Sequence, residues 1–279
     1  MIGPALHSRV RGLLRHAILS TTAAASLVPF VWMISLSLKP RNEIFQSTIS
    51  LLPAHWHAWE NYARALTAAA LPRYLLNGAV VCAAILTLQI LVCAPAAYAL
   101  AKLRFKGREA LFGLVLVGLL IPQQVLALPL FILAYQAGIL NSYAALIFPF
   151  VVSPFGIFLF RQFFKTIPDD IVHAARLDGL SELSIVWRIM VPMALPALIA
   201  FSIFSVVSHW NDLFWPLIAV QSEALMPPTL GVVTFKNAEM GHDYGPLMAG
   251  ATLVIAPLII AFLFAQRWFI EGLMVGSVK

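Results

Sequence analysis

"HAARLDGLSELSIVWRIMVP", residues 173–192, sits inside a chain that is otherwise lipid-like. The stretch is polar, carries a turn glycine and looks amphipathic, so it folds without spanning a bilayer. Its surroundings are different. The 279-residue chain is 61% hydrophobic and 11% charged, with a mean hydropathy of +0.89. Soluble domains are about half apolar and a quarter charged, so this is an all-α, polytopic membrane protein. A bilayer core needs roughly 20 apolar residues per helix. Six runs reach that length: 15–38, 74–101, 109–133, 142–164, 197–220 and 245–267. Segments such as "LKPRNE" (38–43), "KLRFKGRE" (102–109) and "SEALMPP" (222–228) punctuate them. The first run is long and lacks a small-residue cleavage site, which makes it a retained span. Cys82 and Cys93, eleven helical residues and roughly 16 Å apart, are too distant for a disulfide and read as packing residues.

Charge placement gives the orientation. With the N-terminus inside, the inner segments hold Arg9, Arg11, Arg15, Lys102, Arg104, Lys106, Arg108, Arg161, Lys165, Arg176, Arg188, Arg267 and Lys279. The outer segments hold only Lys39, Arg41, Arg64, Arg73 and Lys236. Both termini are therefore expected to be cytoplasmic. The net charge of +6 is a topology signal, not a nucleic-acid footprint. The stretch at 173–192 falls between the fourth and fifth runs, on the cytoplasmic side.

Residues 169–178 suit one short helix. Asp169 and Asp170 favour the positive end of its dipole. Ile171, Ala174, Ala175 and Asp178 share a face at helical spacing, and alanines there let another backbone approach closely. Gly179 is a C′ residue able to stop the helix, and Ser181 caps a second helix with Glu182 in its first turn. A DNA-reading helix-turn-helix is excluded by charge: Asp169, Asp170, Asp178 and Glu182 face only Arg176 and Arg188. An interfacial amphipathic helix would want a basic face, which is missing. An internal structural loop and a docking element for a cytoplasmic partner both stay open on composition.

The residues themselves resemble a known family. His173-Ala174-Ala175, three residues, Gly179, nine residues, then Ile189-Met190-Val191-Pro192 is similar to the EAA loop of ABC importer permeases, whose pattern is Glu-Ala-Ala, Gly, then Ile-x-Leu-Pro. His173 replaces the family glutamate and Val191 the leucine. "NYARAL" (61–66), "YLLNGAVV" (74–81), "AAYALAKLRFKGRE" (96–109), "LIPQQVLALPLFIL" (120–133), "FGIFLFRQFF" (155–164) and "HWNDLFWPL" (209–217) resemble its carbohydrate-uptake branch. The ending "QRWFIEGLMVGSVK" (266–279) resembles the tail of the MalG-like permease.

That resemblance implies a type I ABC importer permease fold with six transmembrane helices. Residues 1–14 would be a cytoplasmic N-terminus, 15–267 the six-span domain with its coupling loop at 165–196, and 268–279 a cytoplasmic tail. It implies ATPase coupling through His173, Ala174, Ala175, Asp178, Gly179, Ile189 and Pro192. A second ATPase contact would involve Gln266, Glu271, Gly272, Gly276 and Lys279. The implied partners are a homologous second permease in a heterodimer, two ATP-binding subunits, an extracytoplasmic solute-binding protein and the lipid of a bacterial inner membrane. No nucleic acid is expected. The solute would be a sugar, oligosaccharide, polyol or glycerol-phosphate-like molecule; another solute class and an ion-coupled secondary carrier are the alternatives.

Catalytic motifs are missing from the sequence. There is no G-x-x-x-x-G-K-[ST] loop, so ATP and Mg are expected on partner subunits, with no cofactor, metal or catalytic residue on this chain. His55 and His57 in "PAHWHAW" read as an interfacial Trp/His segment. Polar residues at membrane depth are costly, so Asn77, Gln123, Gln124, Ser208, Asn211 and Asp212 are candidates for the translocation path, beside Gln89, Ser153 and Ser205. Tyr98 and Tyr135 are expected as sugar-stacking groups. Interhelical hydrogen bonding competes as an explanation for each.

Overall fold

The computed structural model describes residues 4–46, 50–67, 70–233 and 243–275. Among these the chain is helical and has no strands. The order is α1 (Pro4–Ser37), α2 (Arg41–Ile44), α3 (Ala58–Thr67), α4 (Leu71–Lys102), α5 (Arg108–Leu120), α6 (Ala127–Gln136), α7 (Tyr143–Ile147), α8 (Pro154–Thr166) and α9 (Asp169–Leu177). It continues with α10 (Glu182–Ile185), α11 (Val191–Met193), α12 (Leu195–Trp210), α13 (Phe214–Ala219), α14 (Pro228–Val233) and α15 (Tyr244–Val275).

Two compact units are present: Met1–Ala70 with Val232–Ile255, and Leu71–Gly231 with Ala256–Lys279. In the first, α1 carries Arg9, Arg11 and Arg15 in its opening turns, is mostly apolar from Ala17 onward, and exposes Leu13, Leu14, Ile18, Leu19, Leu27 and Val28, a surface suited to lipid. Asn61 anchors this unit from α3: its buried amide donates to the carbonyls of Ser37 and Lys39, both at 2.9 Å. The Ser37 carbonyl ends α1, where the last carbonyls have no partner within the helix, and the Lys39 carbonyl lies just past it. Lys39 in turn donates to the Ser50 carbonyl. Glu43 accepts from Ala54 N, His55 N and His55 Nδ1 at 2.8–2.9 Å. His55 is thus a partner of Glu43 within its own loop.

The core of the second unit lies where α4, α8 and α12 meet. Cys93, Ala97 and Tyr98 of α4, Phe160 and Phe164 of α8 and Phe201 of α12 are all buried there. Small residues permit this approach. A Cβ added to Gly156 would stand 2.8 Å from the Phe201 ring and 3.4 Å from Cys93 Sγ. Cys82 and Cys93 are both free and buried, in keeping with a packing role.

Arg11–Ser37, Leu71–Lys102 and Tyr244–Phe264 are single helices long and apolar enough to cross a membrane. Three further apolar stretches are bent pairs, which bring the candidate spans among the described residues to as many as six. Here the structure corrects the expectation of unbroken runs. Within 109–133, the segments Arg108–Leu120 and Gln123–Gln136 meet at 99°. Pro122 has no N–H to continue the ladder and pushes Ile121 to φ −83, ψ 118. Within 142–164, Tyr143–Phe150 and Pro154–Thr166 bend by 41° around Ser153, extended before Pro154. The run at 197–220 is also interrupted: α12 ends at Trp210 and α13 begins at Phe214. Before it, Glu182–Met193 meets Leu195–Trp210 at 84°. Pro192 cannot donate to the carbonyl four residues back, and Val186–Met190 is wound as a π turn.

Candidate functional site

Residues 165–196 carry the first candidate site. Helix α9 runs over Asp169–Leu177, as its pattern predicts. Gly179 stops it at φ +81. Leu180 N donates to Ala175 O and Gly179 N to Arg176 O, both at 3.0 Å, the paired bonds of a Schellman turn. Ser181 Oγ then accepts from Ser184 N at 3.3 Å and caps α10.

Two clamps fix this element to α4. Lys102 Nζ donates to Asp169 Oδ1 and to Ile167 O, each at 2.5 Å. Arg176 Nε donates to Glu182 Oε1 at 2.8 Å, and Tyr98 Oη donates to Glu182 Oε2 at 2.5 Å. Lys102 holds the Asp169 carboxyl below its usual range, with smaller pulls from His173 and Arg104. Sequence reasoning placed Glu182 in the first turn for its dipole and missed these partners, which lie 84 residues away on α4 or six residues back. Tyr98 departs from its expected role. It is 2% exposed and bonded to Glu182, so it braces the loop and offers no ring to a sugar.

The faces of α9 divide differently from the helical spacing. His173, Ala174, Leu177, Asp178 and Gly179 are exposed, Leu177 at 89%. Ala175 is 4% exposed and packs in the core with Val172, Ile185 and Val186. Ala174 alone of the pair can meet another molecule. Ile189 is partly buried against the same core, and Pro192 is exposed. Gln266 lies exposed in α15, its amide donating to Leu263 O at 3.0 Å. Glu271 and Gly272 fall in the last turns of α15, and Gly276 and Lys279 lie outside the described residues.

The second candidate site is a cleft at the helix breaks. Two cavities of about 320 and 390 Å³ share Gln123, Phe150, Val152, Ser153, Pro154 and Phe155 along their walls. Gln124 and Asp212 line the first, Gln89, Ser205, Ser208 and His209 the second. Irregular backbone at membrane depth is tolerated where it is buried in protein or lines a cavity, and these breaks line both cavities. Asp212 Oδ1 accepts from Phe214 N at 3.0 Å and Trp215 N at 3.3 Å, capping α13. Asn211 is exposed, its amide bonded to Val207 O at 2.8 Å, and Tyr135 is exposed outside both cavities.

Asn77 takes a different place. It is 1% exposed; its amide donates to Ala224 O and Met226 O, and its Oδ1 accepts from Tyr143 Oη at 2.6 Å. It ties a loop to α4 and α7 and borders neither cavity. Among the described residues no group of three His, Cys, Asp or Glu side chains is arranged to hold a metal.

Comparison with known proteins agrees with this architecture. Residues 91–274 match the family described as "binding-protein-dependent transport system inner membrane component". The arabinooligosaccharides transport system permease protein AraQ of Halalkalibacterium halodurans is 35% identical, over 92% of each chain. The lactose transport system permease protein LacG of Rhizobium radiobacter is 32% identical, over 98% of each. The fold is similar to that in the crystal structure of a bacterial ABC transporter that imports the acidic polysaccharide alginate, with a TM-score of 0.84 at 23% identity, covering 96% of this chain and 99% of that one. With the match spanning most of the chain and both relatives covered nearly end to end, this chain belongs to the binding-protein-dependent transport system inner membrane components.

Proposed function

We propose that this chain is one permease subunit of an ATP-driven importer of sugars or similar hydroxylated solutes in a bacterial inner membrane. It works beside a homologous second permease, two subunits that bind ATP and Mg, and an extracytoplasmic binding protein. Both termini face the cytoplasm, and residues 15–267 form the spanning domain. The names of the relatives support a sugar, since one serves arabino-oligosaccharides and another lactose.

One observation carries the mechanism: a short helix exposed on one face and bound to the spans on the other. His173, Ala174 and Asp178 present the docking face to an ATPase subunit, with Gln266 to Lys279 as a second contact. Ala175, the Lys102–Asp169 pair and the Tyr98–Glu182–Arg176 chain hold α9 to the α4–α8–α12 core. Displacement of α9 is therefore passed to α4 without a slack joint, and the spans can exchange between inward-open and outward-open states. Solute passes along the cleft at the breaks, by Gln123, Gln124, Ser208 and Asp212. The ATPase surface that meets His173 lacks, or has moved, the cation that a glutamate at this position would meet. A secondary carrier is disfavoured because one oxygen of Asp212, the obvious ion-coupling group, is occupied as a helix cap.

Cysteine cross-linking tests the docking face. Ala174→Cys should cross-link to the ATPase subunit in the assembled complex, and Ala175→Cys should not. Equal cross-linking at both, or none at Ala174, contradicts it.

A further inference from the structure

The walls of the cleft define the solute more closely than the family does. Gln89 is the starting point. Its Nε2 donates to Phe150 O at 2.8 Å and its Oε1 accepts from Ser205 Oγ at 2.6 Å. The amide cannot be turned over, because its oxygen would then face the Phe150 carbonyl oxygen. The second N–H of Nε2 is left for His209 Nε2, 3.4 Å away. That ring nitrogen accepts, so His209 stands as a neutral imidazole, packed 4.9 Å from the Phe150 ring. Lys and Arg do not occur among the described lining residues, and Asp212 is the one formal charge.

What remains is uncharged and two-sided. The side chains of Gln123, Gln124 and Ser208 have no hydrogen-bond partner among the described residues and offer both donors and acceptors. Ser153 Oγ accepts from Gly156 N at 3.1 Å and keeps its O–H to donate. Phe155 and Phe204, edge to face at 5.5 Å, form an apolar wall beside these groups. Hydroxyl groups both donate and accept, and the C–H face of a saturated ring packs on aromatic rings. An anion would meet the Asp212 carboxylate with no cation among the described lining residues to compensate, at a depth where unpaired charge is costly.

We propose that this cleft contacts the solute directly and is built for an uncharged, polyhydroxylated ring, excluding phosphorylated and acidic sugars. The proposal rests on the permease reading and narrows it. The fold is shared with an importer of an acidic polysaccharide, so fold alone does not fix the charge of the cargo.

The test uses the complete transporter in proteoliposomes with its binding protein. The probes are neutral arabino- and galacto-oligosaccharides, with glycerol 3-phosphate and oligo-uronates beside them. ATP-driven uptake of a neutral member is expected, with the anions at about one-tenth or less. Gln123→Leu and Ser208→Phe should each cut solute moved per ATP hydrolysed by about tenfold, the scale of one or two lost hydrogen bonds. Gln123 is exposed, so its variant reports even where Ser208→Phe impairs assembly. Uptake of an anion at a comparable rate overturns the charge assignment. Neutral uptake undiminished in Gln123→Leu overturns direct contact. Absence of ATP-driven uptake of every probe overturns the permease reading, and this proposal with it.

Discussion

Ala174 and Ala175 are neighbours in sequence and opposites in the structure, and their contrast yields the clearest residue-scale prediction. Ala175→Glu forces a carboxylate into the packed core, so it should lower the thermal melting point or prevent folding. Ala174→Glu should melt as the wild type does. A melting scan of both variants in detergent separates them. The sequence made Gly179, Ser181 and the helix that Gly179 ends legible, because caps and turns are written in local residue types. It could not place the boundary between self and partner, since alanine fits a core and a docking face equally. Nor could it show Tyr98 bonded to Glu182, a pairing across 84 residues. Tyr98→Phe removes that charge-assisted bond and should cost about 1.5–3 kcal/mol, read as a lower denaturation midpoint. Asp169 has a lowered folded-state pKa, so its clamp is fully present above the unfolded value near 3.8 and is lost only as pH falls through the lower folded value. Uptake between pH 5.5 and 8 should therefore show no step from this pair; a step abolished by Asp169→Asn would contradict that.

At the scale of elements, apolar run length located the helices and concealed their breaks. Residues 109–133 read as one apolar run, yet Pro122 divides it at 99°. The break is stable because its walls supply the missing partners. Ser153 caps α8, Cys93 Sγ accepts from Ser153 N at 3.4 Å, and Gln89 takes the Phe150 carbonyl. Such compensation arises from tertiary contacts that no window of sequence contains. Asp212 was legible as a lone carboxylate at depth, but its capping bonds were not. Asp212→Leu should cost about 1 kcal/mol through loss of the cap, and Asp212→Asn, which keeps an acceptor oxygen, only a few tenths. Equal losses in chemical denaturation would show that the cap contributes nothing. Asn77, costly at this depth, is instead a tether; Asn77→Leu removes partners from two part-buried carbonyls and a hydroxyl and should destabilise the chain by about 1–2 kcal/mol.

For the whole molecule, the core of α4, α8 and α12 links the exposed face of α9 to the lined cleft at the breaks. Family membership follows from the length of the match, while the coupling through α9 is the claim that needs a direct trial. The most direct measurement is ATP-driven solute uptake by the full transporter in proteoliposomes, with wild-type chain and with Ala174→Glu. Uptake should fall to background in the variant while its membrane insertion and melting stay at wild-type levels. Undiminished ATP-driven uptake in Ala174→Glu, or uptake by this chain alone without ATP, would contradict it.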